Sequence, residues 1–174
     1  MRHMSEKTIP EHIDPYRYAE QNLAIDGVLA VNTMSRLLPN LHEDATLAEV
    51  HVHFGRDEQG TTYLKGQIKA DLVLQCQRCM EAYQYPIVSD LALGIVTNLD
   101  EANALPDFYE PVMVHDKQLA LHELVEDELI LNLPIIPKHA VEECQVSLPS
   151  EDEAQQKVVV KNPFHVLQSL KENK

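Results

Sequence analysis

Leu64-Lys65-Gly66-Gln67-Ile68-Lys69-Ala70-Asp71-Leu72-Val73-Leu74-Gln75-Cys76-Gln77-Arg78-Cys79 is the stretch on which the fold turns. From Leu64 to Cys76 its residues alternate. Leu64, Gly66, Ile68, Ala70, Leu72, Leu74 and Cys76 form one face; Lys65, Gln67, Lys69, Asp71, Val73 and Gln75 form the other. A period of two marks a strand with one buried face. The run therefore predicts a long strand that delivers Cys76 pointing inward at its end. A Cys-x-x-Cys turn follows directly, with Arg78 inside it, and it holds two of the chain's three cysteines.

On the N-terminal side, Val50, Val52 and Phe54 alternate with Glu49, His51 and His53. This predicts a half-buried strand from Thr46, joined to the long one by the polar loop Gly55–Gly60. The two histidines are read as facing water rather than holding metal. On the C-terminal side, Ile87, Leu91, Leu93 and Ile95 suggest a third strand entered through Tyr85-Pro86, and Tyr109–Val114 a short fourth one. The acidic stretch Asn98–Asp107 between them reads as a loop.

Asp116 can cap a helix over 117–133, in which Leu121, Leu124, Val125, Leu129 and Leu131 share a face and Glu123, Glu126 and Asp127 lie outside it. Glu128 falls near the centre of that face. A buried carboxylate needs a donor, and Arg78 or the amides of the Cys-x-x-Cys turn are the expected partners. Upstream, Asp14-Pro15 starts a helix through Tyr16–Leu23, Val28–Val31 reads as a short strand, and Asn32 or Thr33 caps a brief helix over Met34–Leu38. The fold class that results is α+β. An antiparallel sheet over residues 46–114, open or curled into a barrel-like form, packs against one amphipathic helix. Residues 1–13 are expected to be a flexible lead-in, 14–144 a single domain and 145–161 a flexible acidic linker. Residues 162–174 read as a capped amphipathic segment, with Asn162 and Pro163 at its start and Phe164, Val166, Leu167 and Leu170 as its apolar stripe.

The totals restrict function. The chain has 174 residues, 28 Asp+Glu against 14 Lys+Arg, and a formal net charge of −14. A duplex binder normally presents a basic face to phosphates, and this sequence has none, so a basic protein partner is favoured by charge. No apolar run approaches the ~20 residues of a membrane helix. An odd number of cysteines argues against a disulfide framework, and a reducing cytoplasm is the expected compartment. There is no Gly-x-Ser-x-Gly and no phosphate-cradling glycine loop among only 5 glycines.

The cysteine pair could chelate a metal, cycle as a redox dithiol, or simply pack. Cys76, Cys79, His139 and Cys144 together offer three thiolates and an imidazole, a set that suits tetrahedral zinc; with four protein ligands the site would be structural. A thioredoxin-like role needs the dithiol at a strand-to-helix junction in a βαβ unit. The antiparallel reading does not provide that junction, but a thiol redox protein stays open as an alternative, as does a zinc-stabilised interaction module.

Several pieces then occur together in order. They are the strand running into Cys76-Gln77-Arg78-Cys79, the loop Ala104–Pro111, Val125–Pro134, Pro137-Lys138-His139, Cys144, and Asn162-Pro163-Phe164-x-Val166-Leu167-x-x-Leu170-Lys171. In these pieces the sequence resembles the bacterial YceD family, described as large ribosomal RNA subunit accumulation proteins, from about residue 9 onward. The resemblance implies a non-enzymatic ribosome biogenesis factor. Its expected partner is a ribosomal protein or a large-subunit precursor, with ribosomal RNA contacted directly or indirectly. Relatives carry a second Cys-x-x-Cys near the position of His139 and Cys144, where this chain has one histidine and one cysteine.

Overall fold

The computed structural model describes residues 9–43 and 46–144. Its elements are β1 (His12–Ile13), α1 (Pro15–Glu20), β2 (Ala24–Ala30), β3 (Leu47–Arg56), β4 (Thr62–Gln75), β5 (Ala82–Val96), α2 (Leu99–Asn103), β6 (Glu110–Met113), β7 (Leu119–Ala120) and α3 (Leu121–Leu131). Two 3-10 turns, Val31–Thr33 and Leu38–Asn40, lie between β2 and β3.

The alternation read in Leu64–Cys76 is the burial pattern of β4. Leu64, Ile68, Ala70, Leu72, Leu74 and Cys76 are buried, and Lys65, Gln67, Lys69, Asp71, Val73 and Gln75 on the other face are not. β4 is the central strand of a five-stranded sheet ordered β2-β3-β4-β5-β6. It pairs antiparallel with β3 from Ala48↔Ala70 to Arg56↔Thr62, and with β5 from Tyr63↔Gly94 to Gln75↔Ala82. The inner face meets Leu121, Val125 and Leu129 of α3, Ala19 of α1, and Ile9, Ile13, Val31 and Leu37 in one apolar cluster. Asp14 caps α1 by accepting from the amides of Tyr16 and Arg17, as the Asp-Pro signal implies.

Two glycines are required by geometry. Gly60 sits at φ 87° in the β3–β4 turn, where Asp57 Oδ1 accepts from the amides of Gln59 and Thr61. At Gly66 a Cβ would collide with the carbonyl of His51 and the Cα of Val52. Only glycine lets β3 and β4 approach so closely there.

The structure corrects several expectations. The sheet is not a barrel: β2 and β6 lie at opposite ends of the strand order and do not pair. It is not wholly antiparallel either, because β6 runs parallel to β5. A parallel neighbour needs a crossover, and the acidic 98–107 stretch provides it with α2, capped by Asn98. β5 begins at Ala82, well before Pro86. Proline is tolerated in it because β6 reaches only Leu93–Val96, so that among the described residues no strand pairs with β5 on that side at Pro86.

The main helix spans 121–131, not 117–133. Asp116 and Lys117 are both left-handed, at φ 53° and 55°, in the turn bridged by His115 and Gln118. Leu119 and Ala120 then pair with Ile13 and His12. The first helical amide, that of Leu121, donates to the carbonyl of Glu11. The segment expected to be a loose lead-in therefore packs from Ile9 onward: Ile9 and Ile13 are buried and β1 lies against β7. On α3 itself, Leu131 is exposed and Glu126 is buried, the reverse of the wheel reading. The N-terminal helix ends at Glu20, the first long strand runs through Ala24–Ala30, and two 3-10 turns replace the Met34–Leu38 helix. The linker 145–161 and the segment carrying Asn162, Pro163, Phe164, Val166, Leu167 and Leu170 lie outside the described residues.

Candidate metal centre

The β4–β5 hairpin closes over Cys76–Met80. The amide of Cys76 donates to the carbonyl of Glu81 at 2.9 Å and that of Met80 to the carbonyl of Cys76 at 2.8 Å. Met80 adopts φ 66°, a conformation uncommon for a residue with a side chain, and Gln75 Nε2 holds its carbonyl at 3.1 Å. This sharp turn places both sulfurs on one side of the hairpin.

The second half of the cluster arrives from the chain after α3. Pro134 ends the helical region, and the carbonyl of Pro137 accepts the Gln77 amide at 2.9 Å. A short turn, with Glu143 N to Ala140 O and Cys144 N to Val141 O both at 3.2 Å, brings Cys144 back. Arg78 clamps the two halves: Nε donates to Cys144 Sγ at 2.9 Å, and Nη2 to the carbonyls of His139 and Ala140, each at 3.2 Å.

The ligating atoms of Cys76, Cys79, His139 and Cys144 thus lie within 4.8 Å of one another, with His139 Nε2 3.6 Å from Cys79 Sγ. A tetrahedral zinc site with arms of about 2.3 Å has edges of about 3.8 Å, so the four donors are grouped closely enough to converge on one such ion. All three cysteines are free thiols, and Cys76 is fully buried.

The local electrostatics favour thiolate at one sulfur. Burial pushes the Cys76 thiol up, but the backbone N–H groups of Cys79, Arg78 and His139 outweigh it and bring it down to about 6. Burial raises Cys79, helped by its sulfur neighbours Cys76 and Cys144. The Cys144 contact in turn raises Arg78. Tyr83 packs against His139, ring centroids 5.5 Å apart. The Tyr83 hydroxyl and His139 Nδ1 are buried with no partner among the described residues.

Glu128 does not join this cluster. Its Oε2 accepts from Ser89 on β5 at 3.0 Å, and Asn132 Nδ2 donates to the same hydroxyl at 3.2 Å. Arg78 and Glu128 therefore serve different sites. The buried carboxylate that does meet an arginine is Glu126. Its Oε1 accepts the amides of Arg36 and Leu37 at 2.7 and 3.2 Å, and its Oε2 accepts from the Arg36 guanidinium at 2.9 Å. Burial alone would raise Glu126, but these donors together hold it below the usual carboxylate range. Nothing in the sequence pattern points to this pair. Tyr83, by contrast, could have been placed beside the cluster from its position two residues past Glu81 in the hairpin. A concavity of about 880 Å³ lies elsewhere, between Tyr16, Arg56, Val96, Glu101 and Lys117. It contains no cysteine and is open and mixed in character. No helix among the described residues is long and apolar enough to cross a membrane.

A mixed, mostly antiparallel sheet on a helical layer, with a Cys3His cluster clasped at the hairpin end, defines a small α+β protein with a candidate structural metal site. The match to known families is specific. The family described as large ribosomal RNA subunit accumulation protein YceD matches residues 64–171. The large ribosomal RNA subunit accumulation protein YceD of Haemophilus influenzae is 34% identical over 176 residues, covering 97% of this chain and 99% of its own. The chain belongs to the YceD family. No solved structure matches it.

Proposed function

We propose that this protein is a non-enzymatic cytoplasmic assembly factor. It supports the accumulation of large-subunit ribosomal RNA by holding a basic ribosomal component, and its hairpin end is fixed by a structural zinc ion on Cys76, Cys79, His139 and Cys144. The observation that carries the structural role is the closed donor set: four protein ligands fill a tetrahedral ion and leave no position for substrate. Bound zinc would supply cross-linking of two chain segments 60 residues apart, and no chemistry beyond that. The net charge of −14 supports a basic partner. A thiol redox role fits less well, because the sulfur favoured as thiolate, that of Cys76, is sealed from solvent, whereas the partly exposed Cys79 thiol is pushed up by burial, so neither sulfur combines access with thiolate character.

Two measurements test the reading together. Metal analysis of protein purified without chelators should give one zinc per chain. Capture with the full chain from extracts at moderate salt should retain large-subunit ribosomal proteins, with ribosomal RNA only alongside them. Retention of ribosomal RNA without ribosomal protein would overturn the basic-partner reading, and absence of zinc would overturn the structural-metal reading.

A further inference from the structure

The corner that carries the cysteine cluster also carries an unusual concentration of exposed apolar side chains. Ile135 is 100% exposed, and Leu131, Ile136, Val141 and Met80 are each more than half exposed. Leu131, Ile135 and Ile136 follow one another around the end of α3. The bond from Gln77 N to Pro137 O and the Arg78 contacts to His139 and Ala140 fasten this segment to the hairpin that displays Met80. Exposed apolar residues scattered singly need no explanation, but a group this size on one corner marks an interaction surface.

Charge indicates the occupant. Glu81, Glu142 and Glu143 are exposed on the same corner, with Lys138 the nearby exposed cation. Glu81 and Glu143 border one shallow depression beside His139. Exposed aliphatic side chains and carboxylates carried by the same hairpin and 131–144 segment complement a partner segment that has aliphatic anchors flanked by lysine or arginine. From this surface we infer that the Leu131–Ile135–Ile136 corner docks such a segment of a basic ribosomal protein. The Cys3His cluster holds the docking corner in shape. This inference rests on the basic-partner reading above and specifies where that partner sits.

The test uses the full chain and, as probe, the protein mixture extracted from purified large ribosomal subunits. A photo-crosslinking amino acid is placed at position 135, and in a second protein at Val88, an exposed apolar residue on the far face of β5. Position 135 should crosslink to a lysine- or arginine-rich ribosomal peptide, and position 88 should not. The double variant Ile135→Asp/Ile136→Asp changes only exposed side chains, and circular dichroism checks that it stays folded. It should retain at least tenfold less ribosomal protein than the parent. Undiminished retention by the double variant would overturn the site while leaving the basic-partner reading intact. Crosslinks from position 135 only to residues 162–174 of the same chain, whose own lysines and apolar stripe could mimic a partner, would also overturn the site. No retention by the parent protein would overturn both.

Discussion

The guanidinium of Arg78 donates through Nε to the sulfur of Cys144 at 2.9 Å, although 66 residues separate them in the chain. That contact explains why an arginine sits inside the Cys-x-x-Cys turn. Three thiolates around a zinc ion would leave one net negative charge in a half-buried site. Arg78 would neutralise it, while its other donors hold the backbone of the second half. Hydrogen-bond partners of metal ligands commonly alter affinity by about 10–100-fold. Arg78→Gln should therefore still bind one zinc, with an affinity weakened by about that factor in competition with a chromophoric chelator. An unchanged affinity would leave Arg78 as a backbone clasp only.

Removing the metal should loosen one end of the protein rather than unfold all of it. The apolar cluster between the sheet and α3 contains none of the four ligands, whereas residues 137–144 are held chiefly by contacts to the hairpin. Because a structural ion couples binding to folding, a strong chelator should lower the Tm of the parent protein. It should also increase amide hydrogen exchange in 76–82 and 137–144 before it does so in β3 or α3. Cys76→Ser/Cys79→Ser should show the lower Tm from the start and no further response to chelator. A chelator response that persists in the double variant would place the metal elsewhere.

How much of this was legible in the sequence depended on the range of the interaction. β4 was readable because alternation is a local property, and Leu64–Cys76 carries enough of it to fix strand, face and inward Cys76 together. The grouping of Cys76, Cys79, His139 and Cys144 was readable because few side chain types bind zinc and this chain has only three cysteines. Glu126 was misread because a helical wheel sees only its own helix, and the arginine that makes its burial tolerable is 90 residues away. Two-residue strands such as β1 and β7 have no periodicity to detect, so the start of α3 and the packing of Ile9 and Ile13 could not be seen. The parallel direction of β6 depends on the crossover through α2, which composition alone presented as an acidic loop.

Gly66 is the position where backbone approach is least forgiving. A methyl group there would meet backbone atoms of His51 and Val52, which cannot rotate away as a side chain could. Overpacking of a tight interior typically costs about 1–3 kcal/mol, and contact with backbone places Gly66→Ala at or above the upper end. Urea denaturation should show a clear fall in midpoint. Gly60→Ala, where a Cβ meets nothing but the backbone is left-handed at φ 87°, should cost less, about 1 kcal/mol. Equal midpoints for the parent and Gly66→Ala would mean that β3 and β4 are further apart than the structure has them.

The Glu126 carboxylate ties α3 to the turn at Arg36 and Leu37, and its protonation gives that tie a pH dependence. Its native pKa is lowered relative to the unfolded chain, with the backbone amides and the guanidinium together outweighing burial. A group of this sign contributes stability that is fully present above its unfolded pKa of about 4.5. The contribution is lost as pH falls through the lower native value. The parent protein should therefore lose stability below about pH 4.5 more steeply than Glu126→Gln, which keeps an acceptor oxygen but cannot titrate. At neutral pH, Glu126→Ala leaves the amides of Arg36 and Leu37 without their acceptor and should cost about 2–3 kcal/mol. Glu128→Ala, which loses a single bond from Ser89, should cost about 1 kcal/mol. Unfolding curves for the four proteins at pH 7 and pH 4 check both statements. If Glu126→Gln and the parent decline in parallel between those pH values, the acid sensitivity belongs to other carboxylates and the Arg36 tie is only a packing contact.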